Sequence, residues 1–149
     1  MSALFYDPVD VARQFLFVRE AGANRGLRVE AIQHWSVGQS GDSWCMEFAT
    51  MILDLCFQGN APIPRQGGCE DVHQLAIANG WIVTGPIVGD LVLSINASGL
   101  AHHVGIVSSP DPLISIAGNT SSSGTSSNGN RVAEHAIDPA NKVFVHYPR

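Results

Sequence analysis

Long apolar runs are missing from this chain. It has no stretch of about 18 consecutive apolar residues, so nothing in it is expected to span a bilayer. Basic residues are few: 8 Lys and Arg stand against 13 Asp and Glu, for a net charge of -5. They are also scattered, which argues against nucleic acid as a partner, because phosphate binding draws on clustered Lys and Arg. The same charge gives no long-range pull toward an anionic membrane or wall, so any such target must be recognised by local contacts. The N-terminal MSALFYDPVD lacks a basic start and carries Asp7 and Asp10 where an apolar run should be, so no secretory signal is expected. Cysteines number only 3, an odd set that argues against a disulfide framework. Cys45 and Cys56, if on one helix, lie about 16 Å apart at about 1.5 Å per residue, too far to bond. Reduced thiols and synthesis in a cytoplasm are expected.

What is present describes a globular protein. With 149 residues, 45% of them apolar and 14% charged, the chain is expected to form one domain over 1–149, with no internal repeat. Apolar spacing in Val9–Glu20 fits an amphipathic helix, and Arg28–Trp35 fits a second, short one. From Trp44 to Gln58 the polar residues Glu47, Thr50, Asp54 and Gln58 fall in one narrow stripe. The rest of that helix is apolar, which makes it the candidate central helix, buried on most sides. Asp71–Asn79 reads as another helix, stopped by Gly80. After Trp81 the texture changes to short strands: Asp90–Asn96, His103–Ser108, Leu113–Ala117, Arg131–Ile137 and Lys142–Tyr147. Asn119–Asn130, NTSSSGTSSNGN, is low in complexity and reads as a mobile loop joining two strands. Helices followed by strands predict an α+β fold, with N-terminal helices packed on an antiparallel sheet.

The stretch GDSWCMEF carries the first chemical signal. Asp42 or Ser43 can cap the central helix, which leaves Cys45 in its first turn. There the partial positive charge of the helix end favours a thiolate, whereas the common role of a cysteine is a small buried hydrophobe. Cys56, deep in the same helix, fits that common role. Cys69 reads as a loop residue, and with His73 it supplies two ligands where structural zinc wants four. A thiolate needs a base, and LAHHVGIVSS offers His102 or His103, which alternation points to opposite strand faces. Strand geometry alone does not choose between them. Asn119, at the end of the next strand, can accept an imidazole N–H and fix the ring, although Asn before Thr-Ser-Ser-Ser-Gly is also an ordinary turn. Cys, then His, then a polar residue is the chain order of papain-like cysteine enzymes.

The segments WCMEF, GDLVL, HHVGIV and AGNTSSSG, with the earlier VREAGANRGLRVEA, resemble the CHAP family, the cysteine, histidine-dependent amidohydrolases/peptidases. The likeness runs from about Val9 to Tyr147. It implies a papain-like fold with the nucleophile at the N-terminus of the central helix, and cleavage of amide bonds in peptidoglycan peptides. On that match Cys45 is the nucleophile, and His103 is the base because it directly precedes Val-Gly-Ile-Val. Asn119 matches the Asn of a Glu-Gly-Asn-Thr signature. Where that signature has Glu, this chain has Ala117, so Asn119 is expected to orient His103 directly; residues 117 and 119 share a strand face by the period of two. Glu134 on a later strand is a substitute orienter. Gln39, six residues before the Cys, matches the separation that papain-like enzymes use for an oxyanion Gln, beside the Cys45 backbone N–H.

The expected function is that of a cysteine amidase or endopeptidase acting on peptidoglycan through an acyl-enzyme, bacteriolytic and endolysin-like. The alternative is a CHAP-like wall-binding or structural module that is weak or inactive, which the Ala117 replacement motivates. A papain-like enzyme acting on protein substrates is a third reading. No cofactor and no metal are expected, since HWSVGQSGDS holds one carboxylate and Ca²⁺ wants about six to eight oxygen ligands. Peptidoglycan is the expected partner, with no nucleic acid and no membrane, and the chain is expected to be a monomer. Phage lysis, a phage tail or a dedicated export machine would each bring it to the wall, the last with an immunity protein as a further partner.

Overall fold

In the computed structural model, which describes residues 3–36, 38–120 and 129–149, the first helix starts on a side-chain cap. The Asp7 carboxylate accepts the Val9 N–H at 2.7 Å, and Pro8 follows at a position where its missing N–H costs nothing. This helix, α1 (Pro8–Arg13), is much shorter than the Val9–Glu20 helix expected from periodicity. The reason lies at the sheet edge. Val132 N–H donates to the Val18 carbonyl, Glu20 N–H donates to the Asn130 carbonyl, and Arg19 bridges Arg131. Residues 18–20 thus satisfy their backbone on an edge strand, which outweighs local helix preference.

Three more helices follow: α2 (Leu27–Trp35), α3 (Cys45–Cys56) and α4 (Cys69–Asn79). Helix α3 is the core of the molecule. Trp44, Met46, Phe48, Ile52, Leu53 and Cys56 are fully buried around it, and each large apolar side chain contributes about 1.5–3 kcal/mol by leaving water. Even its polar stripe is covered at Glu47 and Thr50. Thr50 Oγ1 both donates to the Gln66 carbonyl and accepts its N–H, each at 3.2 Å, so the loop before α4 lies across the stripe. Helix α4 begins two residues earlier than expected, on Gly68. Glu70 and Asp71 in its first turn complement the positive helix end, and Gly80 closes it in the left-handed region at φ 69°.

Among the described residues the sheet is six-stranded and antiparallel, built from β1 (Ile82–Val83), β2 (Leu91–Ile95), β3 (Ala101–Pro110), β4 (Leu113–Thr120), β5 (Arg131–Ala136) and β6 (Lys142–Val145). Its order is β1-β6-β2-β3-β4-β5. The architecture is therefore α+β, as the run of helices followed by strands predicts. Strand β1 was not expected; two residues leave no period to read. Leu91, Leu93, Val104, Ile106, Ile116 and Val132 join the helices in one apolar cluster. No described helix is long and apolar enough to cross a membrane. Of the serine-rich segment, residues 121–128 lie outside the described residues.

Two details of the sheet position the site. The β3–β4 ladder runs from Pro110–Leu113 to Ile106–Ile116. Beyond it β3 continues against β2, with Ser94 opposite His103, and the β2–β3 register shifts at the next residue, between Ser94 and Ile95. Strand β4 continues against β5 and shifts register between Ala117 and Thr120. The second detail is Gly118. A Cβ there would stand 2.7 Å from Phe48 Cβ and 2.8 Å from Trp44 Cζ3, so the absence of a side chain lets the start of α3 lie against β4.

Candidate active site

Cys45 is the first residue of α3 and only 3% exposed. Neither Asp42 nor Ser43 caps the helix, contrary to expectation. Asp42 accepts the Gln39 backbone N–H at 2.8 Å, Ser43 accepts the Asn119 side-chain amide at 2.9 Å, and the cap position belongs to Trp44. Packing places Trp44 there: its ring is fully buried, and its indole N–H donates to Glu20 at 2.8 Å. Without a side-chain cap, the positive end of α3 is left to the sulfur, and the Met46 backbone N–H supports the Cys45 thiolate.

The directional partner of that sulfur is Cys69, with the two Sγ atoms 3.7 Å apart. A helix beginning at Asp71 would leave Cys69 an isolated loop thiol. Cys69 is in fact the first residue of α4, buried, and it faces Cys45 across the helix starts. Cys45 is driven well below the ordinary thiol range, first by the Cys69 thiol donating to it, then by the His103 ring and its charge, against the opposing effect of burial. Cys69 is pushed up by the same bond and by burial. Between the two sulfurs the anion is thus favoured on Cys45, because the imidazole and the Met46 N–H stand on its side.

His103 is the half-buried member of the histidine pair and His102 the exposed one, so the register shift in β2–β3 accompanies a choice that alternation left open. Asn119 is buried nearby, but its backbone lies in the left-handed region at φ 51°. The argument that residues 117 and 119 share a face fails here, because the register shift between Ala117 and Thr120 interrupts the period. Asn119 does not hydrogen-bond His103. Its Nδ2 donates to Ser43, while its Oδ1 and the His103 Nδ1 are both buried without a partner among the described residues.

Gln39 stands exposed in the turn before α3, and its side chain makes no hydrogen bond among the described residues. Glu134 is engaged elsewhere. It pairs with Arg13 at 2.9 Å, which holds its carboxyl below the usual range and fastens α1 to β5. Cys56 is a buried core thiol pushed up to about 12 by burial.

Two carboxylates that sequence reasoning did not assign border the site. Glu70, on α4, accepts the Ala101 backbone N–H at 2.6 Å and so holds the start of β3 two residues before His103. Gln74, then Ala101 and His73, keep its carboxyl down at about 2. Glu47 lies in the first turn of α3 with both carboxyl oxygens buried and, among the described residues, unpartnered, pushed up to about 8 by burial, then by Asp42 and Cys45. A side chain on Gly38 would collide with it. Among the described residues, no three His, Cys, Asp or Glu side chains converge as a metal site. A shallow pocket lined by Asp54, Gly59, Ala61, Ile63, Pro64 and Arg65 opens at the other end of α3 and holds no nucleophile. Comparison of the chain with family models, with curated proteins and with solved structures finds no match.

Proposed function

We propose that the chain is a papain-like, CHAP-type cysteine hydrolase that cleaves an amide bond of peptidoglycan peptides. The observation that carries the reading is Cys45 at the start of a buried helix, its thiolate favoured by the helix end, by Cys69 and by His103. In this mechanism the Cys45 sulfur attacks the amide carbonyl. His103 protonates the leaving amine, and water activated by His103 then hydrolyses the thioester. The Cys45 backbone N–H is one donor to the oxyanion, and Gln39 is the second if its side chain turns inward on substrate. Asn119 serves as orienter by offering its unpartnered Oδ1 to the unpartnered His103 Nδ1, a complementary acceptor and donor. The wall as substrate rests on the resemblance of WCMEF, HHVGIV and AGNTSSSG to that family. Muropeptide release from purified sacculi, compared between the native chain and Cys45→Ala, tests the proposal. Release should stop in the variant, and undiminished release would end the reading.

A second reading, a CHAP-like wall-binding module with weak or no catalysis, is favoured by two observations: Cys45 is almost fully covered, and Asn119 is turned to Ser43. It predicts that the native chain cosediments with sacculi and releases nothing.

A further inference from the structure

Cys69 has no part in the mechanism above as an acid, base or nucleophile, yet it is the side chain that meets the Cys45 sulfur. The two thiols belong to different helices, are buried together and are separated by 3.7 Å. A disulfide needs about 2.05 Å between sulfurs, so closure asks for an approach of less than about 2 Å. Each thiol occupies the first residue of its helix, so the two sulfurs meet where both helices start, and Cys45 is the one whose surroundings favour the anion that thiol oxidation requires. Behind Cys69 the chain runs through Gly67 and Gly68, neither with a side chain to hold the start of α4 in place. Cys56 lies at the opposite end of α3 and cannot compete.

We propose that Cys69 is a resolving thiol that closes a reversible disulfide with Cys45 under hydroperoxide, so that oxidation switches the nucleophile off and a dithiol switches it on again. In the first step the Cys45 thiolate attacks the O–O bond of hydrogen peroxide. An S–O bond forms, the O–O bond breaks, and hydroxide leaves to become water. In the second step the Cys69 sulfur, giving up its proton, displaces the hydroxyl group of the Cys45 sulfenic acid as a second water. The net change is two thiols and one peroxide to one disulfide and two waters. The switching part rests on the reading of Cys45 as nucleophile; the cross-link does not.

The native chain is treated with hydrogen peroxide and followed by intact mass, by peptide mapping and by release of label from dyed sacculi. The expected result is a loss of about 2 Da, a peptide that joins residues 45 and 69, loss of release to the level of Cys45→Ala, and full recovery with dithiothreitol. Cys69→Ser, judged against its own untreated rate, should instead gain about 32 Da as Cys45 passes to sulfinic acid, and dithiothreitol should restore nothing. Absence of the 45–69 peptide from the oxidised native chain overturns the inference, whatever the activity does. A cross-link formed in full while release continues undiminished overturns the nucleophile reading and the switch with it.

Discussion

Glu47 makes a thermodynamic prediction that does not depend on any substrate. Its carboxyl group is buried, neither oxygen has a partner among the described residues, and Asp42 and Cys45 add negative charge nearby, so the folded chain keeps its proton up to about pH 8. The unfolded chain releases that proton near the ordinary value of 4.5. Between those two values the folded state binds one proton more than the unfolded state, so stability falls as pH rises. The slope is about 1.4 kcal/mol per pH unit, and the loss from pH 5.5 to 7.5 is about 2–3 kcal/mol. Domains are stable by about 5–15 kcal/mol, so the effect is a substantial fraction of the whole. Glu47→Gln keeps the volume and removes the titration. Urea unfolding of both proteins at several pH values, extrapolated linearly to water, gives the two slopes. The native chain should lose stability with pH more steeply than Glu47→Gln by nearly one proton's worth, and contributions from other groups cancel in the difference. Identical slopes would refute the placement of a dry, unpaired carboxyl beside Cys45.

Gly118→Ala should cost about 2 kcal/mol and lower Tm by about 4–8 °C in calorimetry, because a Cβ cannot stand 2.7 Å from Phe48 and 2.8 Å from Trp44 without moving the start of α3. Asn119→Ala should lower kcat more than KM, in an assay of muropeptide release, if the carboxamide orients His103; a change confined to Tm would assign it to the Ser43 contact alone. Because Cys45 is held well below the ordinary thiol range, the acid limb of kcat/KM should lie below about pH 8.5. Glu70→Gln should weaken the hold on Ala101 and raise amide hydrogen exchange at the start of β3, with Arg13→Ala, at the exposed end of the molecule, as a mild control.

The parts of the fold that were legible in the sequence are those governed by local pattern. Helix α3 could be read because its apolar residues run almost unbroken, and β2 to β6 because each is bounded by turn-forming residues. Helix α1 was overestimated because the pull of β5 on residues 18–20 is a long-range effect absent from local periodicity. At the site, Cys45 begins α3 and His103 is the third residue of β3, the strand on which α3 packs, and the imidazole is among the groups that lower the Cys45 thiol. Cys69 was missed for want of two residues. Gly68 before Glu70 and Asp71 is a helix-start signal of the same kind that draws attention to Cys45, but a helix read as Asp71–Asn79 leaves Cys69 outside it. The left-handed backbone of Asn119 was out of reach, because a register shift between strands leaves no mark in the alternation of either one.

The strand order has a consequence for how the protein is made. Strand β6 lies between β1 and β2, so a nascent chain that has not yet delivered Lys142–Val145 leaves Leu91–Ile95 with a bare flank and Ile82–Val83 with nothing to pair with. Until then the β2–β5 half, which carries the imidazole, ends in an open edge that invites mispairing with neighbouring polypeptides on the same message. Docking of β6 between β1 and β2 is therefore the step that covers this flank of the sheet.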